Sequence, residues 1–226
     1  MTRPRIAITA GDPAGIGPEI AAAAARDARV LDACEPIVYG PAADATFAPG
    51  VLSGDAGRAG YEAIVRAVGD AQRGVVAGIA TAPVNKEAFR LAGLPWSGHT
   101  DLIAHLTGAG DVAMMFYSEP LRVVLATIHI PLREVPRALT PHVMEATIAL
   151  TARELPRFGF AAPRIAVAGL NPHAGEHGLF GDEEEATIAP AVVASRARGI
   201  DVSGPFPGDT VFVRAQRGEF DVVIAC

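Results

Sequence analysis

The stretch that decides the fold is Ile165-Ala166-Val167-Ala168-Gly169-Leu170, followed at once by Asn171-Pro172-His173-Ala174-Gly175-Glu176-His177-Gly178. An unbroken apolar run bounded by turn residues reads as a strand buried on both faces, the kind that builds parallel sheets. Directly after it come two imidazoles and a carboxylate in a loop rich in Gly and Pro. Open α/β sheets carry their chemistry in such loops, just beyond a strand end.

Working outward, short apolar runs alternate with helical patterns along the chain, which predicts an α/β fold whose mostly parallel sheet is covered on both faces. Strands are expected at Arg5 to Ala10, Pro36 to Gly40, Val75 to Ala82, Val112 to Tyr117, Leu121 to Ile130, Ile165 to Leu170, Val202 to Phe206 and Phe220 to Cys226. Helices are expected from Pro18 to Cys34, Tyr61 to Ala71 and Asn85 to Ala92. Further helices follow over Leu102 to Leu106 with Thr100 and Asp101 as caps, from Thr140-Pro141 to Pro156 or Gly159, and from Glu184 to Arg198, with Pro190 as a kink or restart. Pro41 to Asp55 reads as loop. These elements fall into a first α/β domain at 1–98 and a second at 99–226 that holds the metal and substrate candidates. The last run reads as a central strand with no cap or polar tail after it, so the chain is expected to be truncated at its C-terminus.

Composition narrows the function classes. The 226 residues are 50% hydrophobic and 19% charged, with 24 Gly and 18 Pro, which is ordinary for a globular α/β protein of this size. A net charge of −6 leaves no basic stripe to neutralise a phosphate backbone, so nucleic acid is not an expected partner. No apolar run approaches the roughly 20 residues a bilayer span requires, and the run after Arg5 is too short for a signal-peptide core. The two cysteines, Cys34 and Cys226, form neither a disulfide framework nor a zinc cluster. A soluble, cytoplasmic protein with no membrane partner is expected.

Five loop constellations carry chemistry. Gly11-Asp12-Pro13-Ala14-Gly15-Ile16-Gly17-Pro18-Glu19 lies between a strand and a helix, where glycines let backbone amides approach an anion; it matches neither a dinucleotide fingerprint nor a phosphate loop, and a ligand-free turn is equally compatible with it. Thr81-Ala82-Pro83-Val84-Asn85-Lys86-Glu87 offers Lys86 to a phosphate or carboxylate, against the commoner role of a solvated lysine. Gly98-His99-Thr100-Asp101 puts an imidazole and a hydroxyl at a helix start, with Thr100 as N-cap the plainer reading and nearby His105 structural. Thr127-Ile128-His129-Ile130-Pro131-Leu132 ends an apolar strand on His129, which taken with His173 makes a pair of imidazole ligands for a divalent ion that needs a third ligand from elsewhere. Asp209, in Gly204-Pro205-Phe206-Pro207-Gly208-Asp209-Thr210-Val211-Phe212, offers a carboxylate or else an Asx-type turn.

In order and spacing, these motifs together with Gly169-Leu170-Asn171-Pro172-His173-Ala174-Gly175-Glu176 resemble the 4-hydroxythreonine-4-phosphate dehydrogenase family of pyridoxine biosynthesis, from Arg5 to Cys226. The resemblance implies a two-domain fold like that of the isocitrate and isopropylmalate dehydrogenases, incomplete here at the C-terminus, and a homodimer. It implies NAD or NADP as cofactor, with no residue here assigned to it, and a divalent metal (Zn, Mg or Co). The implied reaction oxidises 4-phosphooxy-L-threonine to a 3-oxo acid that loses CO2 to give 3-amino-2-oxopropyl phosphate. Residue by residue it matches His129 and His173 to metal ligands and His99 and Thr100 to substrate contacts, and leaves Asp209, Lys86 and Asp12 as further catalytic or substrate candidates. The family continues from the strand at Asp221 to Cys226 into Tyr-His-Asp-Gln-Gly, whose histidine is the third ligand, and the segment beyond is expected to complete the first domain. Two other readings stand beside this one. The substrate is 4-phospho-D-erythronate or 4-phospho-D-threonate, with which the Gly178-to-Glu184 run is compatible, or the chain is an inactive fragment.

Overall fold

The computed structural model describes residues 3–226. It divides into two compact units, the first running to Gly110 and the second Asp111–Cys226. The division falls after the helix that begins at His99, so that helix closes the first unit, whereas the sequence pattern places it in the second.

The first unit contains β1 (Arg5–Thr9), α1 (Gly17–Ala24), α2 (Ala28–Ala33), β2 (Glu35–Tyr39), α3 (Gly54–Gln72), β3 (Gly78–Thr81), α4 (Lys86–Leu91) and α5 (His99–Thr107). Its strands form a parallel sheet in the order β2-β1-β3. The single helix expected from Pro18 to Cys34 is broken at Asp27, whose Oδ1 accepts the Arg29 amide at 2.9 Å and caps α2. An Asp at that position satisfies a new helix start better than it serves a helix interior. Helix α3 starts well before Tyr61, at a Ser53 cap whose Oγ accepts the Ala56 amide at 3.1 Å. Gly54, Gly57 and Gly60 lie in its first two turns, and they are why the sequence read as loop. A Cβ at Gly57 would stand 2.2 Å from the Ala88 carbonyl oxygen of α4, and one at Gly54 would stand 2.9 Å from that of Leu91. The glycines therefore let α3 and α4 pack backbone to backbone, above a core of Ile64, Val68, Phe89 and Leu102.

The second unit contains β4 (Met114–Tyr117), β5 (Arg122–Leu125), α6 (Val135–Ala138), α7 (Pro141–Glu154), β6 (Ile165–Ala168), α8 (Ala189–Ala197), β7 (Val202–Phe206), α9 (Gly208–Gln216) and β8 (Val222–Ala225). Sheet order is β4-β5-β8-β6-β7, with β4 antiparallel and the other four strands parallel. Ile165 and Val167 pack on one face with Met144, Ile148, Ile188 and Ile224, while Ala166 and Ala168 pack on the other with Val211, Ala215 and Val223. All four β6 residues are buried, as the unbroken apolar run predicts. The helix expected from Glu184 begins instead as a π turn at Glu184–Ile188, and Pro190 marks the restart as α8. Helix α9 was not anticipated; Val211 and Ala215, one helical turn apart, bury its inner face. No helix among the described residues is long and apolar enough to cross a membrane.

Candidate active site

In the first unit, the loops leaving the C-terminal ends of β1 and β3 meet. Gly11 has φ of 67°, and a Cβ there would lie 2.2 Å from the Pro83 carbonyl oxygen, which also accepts the Asp12 amide at 2.9 Å. Asp12 turns one carboxylate oxygen back onto the Ala14 amide at 2.9 Å, so that oxygen shapes its own turn. Asn85 caps α4 by accepting from the Glu87 and Ala88 amides at 2.9 and 3.1 Å, which starts the helix at Lys86. Lys86 is exposed, yet its stem runs along Gly98, with Cε 3.8 Å from where a Cβ of that glycine would be. Lys86 and the His99 segment, separate motifs in the sequence, are thus neighbours.

Thr100 is not the N-cap of α5. Gly98 holds that position, and the Asp101 carboxylate accepts the amides of Ser97 and Gly98, the latter at 2.9 Å. His99 and Thr100 therefore lie in the first helical turn, both half-buried. His105 stacks its ring on Trp96 with centroids 4.4 Å apart, the structural role expected of it. The Nε2 of His99 is buried without a hydrogen-bond partner in the described residues. Burial lowers the His99 pKa below the usual imidazole value, outweighing a backbone hydrogen bond at Ala82 and the Asp101 charge, which both raise it. A histidine whose folded pKa is lowered makes the unfolded chain the better proton acceptor between that value and the ordinary one. Stability is then full above about pH 6.5 and declines as the pH falls toward the lowered folded value. His99→Gln flattens this decline in urea denaturation curves taken between pH 7.5 and 5.5.

In the second unit the candidates lie beyond the C-terminal ends of β5, β6 and β7. The strand expected to run to Ile130 stops at Leu125 and the chain bends after it, so His129 lies four residues beyond β5, exposed and with φ of 57°. His173 sits in a single 3₁₀ turn, Pro172–Gly175, with φ of 54°. Its Nδ1 lies 3.3 Å from Glu176 Oε2, and the Phe180 ring meets it edge-on at 5.8 Å. A carboxylate on one ring nitrogen orients an imidazole and leaves the other free to ligate. Asp209 lies in the first turn of α9 and not in an Asx turn, exposed, and lines an open cavity of about 390 Å³ with Gly169, Asn171, His173 and Gly208. His173 and Asp209 are thus brought together. Among the described residues no three His, Cys, Asp or Glu side chains stand close enough to hold a metal ion.

Sequence reasoning missed the residues behind this loop. Asn171 donates its side-chain amide to Glu183 at 2.6 Å and to Glu184 at 3.0 Å, and its backbone amide to Glu184 at 2.7 Å. The Asn171 contact holds the Glu183 carboxyl below its ordinary pKa. Burial pushes the Cys226 thiol up to about 12, with the Glu184 charge adding to the shift, so Cys226 is an inert packing residue.

The loops described here all fall inside residues 8–226, which match the family model described as "Pyridoxal phosphate biosynthetic protein PdxA". The chain belongs to the PdxA family. The 4-hydroxythreonine-4-phosphate dehydrogenase of Beijerinckia indica is 43% identical over 97% of this chain and 76% of its own length. The D-threonate 4-phosphate dehydrogenase of Salmonella typhimurium is 40% identical over the whole chain and 81% of its own length. Among solved structures, 4-hydroxythreonine-4-phosphate dehydrogenase from Klebsiella pneumoniae superposes with a TM-score of 0.91 at 41% identity, covering 99% of this chain and 80% of that one. As a PdxA member, the chain is an oxidoreductase of the dehydrogenase class acting on a CH–OH group.

Proposed function

We propose that the chain oxidises the 3-hydroxyl of 4-phosphooxy-L-threonine with NAD or NADP, and that the 3-oxo acid formed loses CO2 to give 3-amino-2-oxopropyl phosphate on the way to pyridoxal 5'-phosphate. The observation that carries this reading is the family match over residues 8–226, which contains every loop motif quoted above. In this reading His99 and Thr100 contact substrate. The buried, unpartnered Nε2 of His99 supports that role, because a buried polar atom without a partner is costly unless a ligand satisfies it. Lys86, beside Gly98, supplies positive charge for the phosphate or carboxylate.

His129 and His173 fit two ligands of a divalent ion. Both are imidazoles, and Glu176 holds the Nδ1 side of His173. When bound, such an ion supplies Lewis acidity that favours loss of the hydroxyl proton and of CO2. The sheet order supports a third ligand after β8, since β8 lies between β5 and β6, the strands that lead to His129 and His173. That is the position at which the family resemblance sets the histidine of Tyr-His-Asp-Gln-Gly. Asp209 shares the cavity with His173 and is the candidate for orienting the reacting hydroxyl.

A second reading has direct support. Relatives named for D-threonate 4-phosphate are 40–41% identical, against 41–43% for those named for the amino acid. The two substrates differ at C2, an amine in one and a hydroxyl in the other. The test is cofactor reduction followed at 340 nm with each substrate and each of Zn2+, Mg2+ and Co2+. The chain is assayed beside a version extended through the segment family members carry after β8. Turnover of 4-phosphooxy-L-threonine is expected; turnover of D-threonate 4-phosphate alone moves the assignment to the second reading, and no cofactor reduction by either protein rejects both.

A further inference from the structure

We propose that Glu184 is a positioning residue, which clamps the loop carrying His173 in its ligating conformation by way of Asn171. The proposal rests on the reading of His173 as a metal ligand. It begins from an unusual backbone. His173, Ala174, Gly175, Glu176, His177 and Gly178 all have positive φ, and four of the six are not glycine. Each of the four that are not glycine costs on the order of 1–3 kcal/mol and persists only where its surroundings enforce it. Within the loop the Ala174 and Phe180 amides reach the Asn171 and Gly175 carbonyls at 3.1 Å, but the Glu176 and Leu179 amides reach those of His173 and Glu176 only at 3.4 Å, so the loop's own bonds hold it in part.

Further enforcement comes from outside the loop. Glu184 is only 2% exposed, and its carboxylate stands at the neck of the loop. Oε1 accepts the Asn171 backbone amide at 2.7 Å, and Oε2 accepts the Asn171 side chain at 3.0 Å. The same two oxygens fill the space a Cβ would need at Gly169 and Gly175, at 3.0 and 2.7 Å. One side chain therefore grips the residues on both sides of His173. The π turn at Glu184–Ile188 delivers it there, with Ile188 anchored in the core of the unit; single π turns of this kind often mark functional positions. No Lys or Arg among the described residues pairs with Glu184. Its hydrogen bonds are charge-assisted, roughly twice as strong as neutral ones, and its negative charge favours a cation held by the same loop.

The experiment compares Glu184→Ala, Glu184→Gln and, as control, Glu185→Ala at an exposed neighbour. Hydrogen exchange is read by mass spectrometry on metal-free protein, and Co2+ binding by visible absorption on the same variants extended past β8. In Glu184→Ala, amides of residues 170–177 are expected to exchange at least about tenfold faster while those of β6 stay protected, and Co2+ affinity is expected to fall about 10- to 100-fold, the usual scale for groups behind a ligand. Glu184→Gln keeps the shape and one acceptor, and is expected to restore most of the exchange protection with a smaller loss of affinity. Loop exchange unchanged in Glu184→Ala, or unchanged exchange and affinity in Glu184→Gln should the alanine variant not fold, overturns the clamp. A loosened loop with unchanged Co2+ affinity overturns its positioning role. Failure of the unsubstituted protein, extended past β8 so that it carries the third ligand, to bind Co2+ sinks the metal reading instead, while the exchange results still decide the clamp.

Discussion

On the proposed reading of His173 as a metal ligand, His173→Asn is expected to lower kcat/KM for the phosphorylated hydroxy acid by about three orders of magnitude, the scale of the roughly 4 kcal/mol of transition-state stabilisation an activating metal supplies. Asparagine is the informative replacement. His173 has φ of 54°, a region that Asn tolerates far better than Ala, so the variant removes the imidazole without adding a backbone penalty. His129→Asn, at φ of 57°, is expected to behave alike for the same reason. Melting temperatures within about 2 °C of the parent accompany both, because each side chain is exposed and neither belongs to the core clusters. His142→Ala, on the exposed face of α7, serves as control and retains activity. Steady-state kinetics across a metal titration check the result. A His173→Asn enzyme within about tenfold of the parent at saturating metal would remove this histidine from the ligand set.

The largest effect on stability is expected at Gly57. In Gly57→Val the new Cβ would lie 2.2 Å from the Ala88 carbonyl oxygen, 2.4 Å from its carbon and 2.9 Å from the Phe89 nitrogen. All three are backbone atoms of α4, so no side chain can swing away to make room. Helices α3 and α4 must separate, opening the core of Ile64, Val68, Phe89 and Leu102 between them and α5. The expected cost is about 3 kcal/mol or more, the upper end of overpacking penalties. Gly110→Ala, where an added Cβ meets nothing within 4 Å, is the neutral comparison. Urea unfolding followed by circular dichroism reads both. A Gly57→Val midpoint equal to the parent would show that the helix contact yields without loss.

The consequence reaches the candidate site in the same unit. Gly60, one turn along α3, approaches the Gly11 carbonyl oxygen, with a Cβ there placed 3.0 Å from it. Helix α3 therefore supports the loop that carries Asp12 as well as the core. Stability and site geometry in this unit share one row of glycines.

What the sequence determined by itself were the features with a local cause. Ile165 to Ala168 reads as a doubly buried strand because every residue in it is apolar, and both faces of β6 are indeed covered. Thr140-Pro141 starts α7 because a hydroxyl at the cap accepts the Val143 amide and a proline fits the first turn. The loops that follow β1, β3, β5, β6 and β7 were legible as chemistry because their Gly, Pro, His and Asp residues interrupt apolar runs. Tertiary structure decided the rest, since it depends on residues distant in the chain. Gly54 to Gly60 looked like loop because glycine is a poor helix former, and became helix because only glycine lets α3 approach the α4 backbone. Glu184, one of three consecutive glutamates, reads in the sequence only as a helix start and the end of the Gly178-to-Glu184 run, yet folding buries it against Asn171, 13 residues earlier. His99 reads in the sequence as an imidazole at a helix start, which the family resemblance matches to a substrate contact, and only packing leaves its Nε2 buried and unpartnered among the described residues. Local propensity is written residue by residue, but close approach and desolvation arise only when separate segments are brought together.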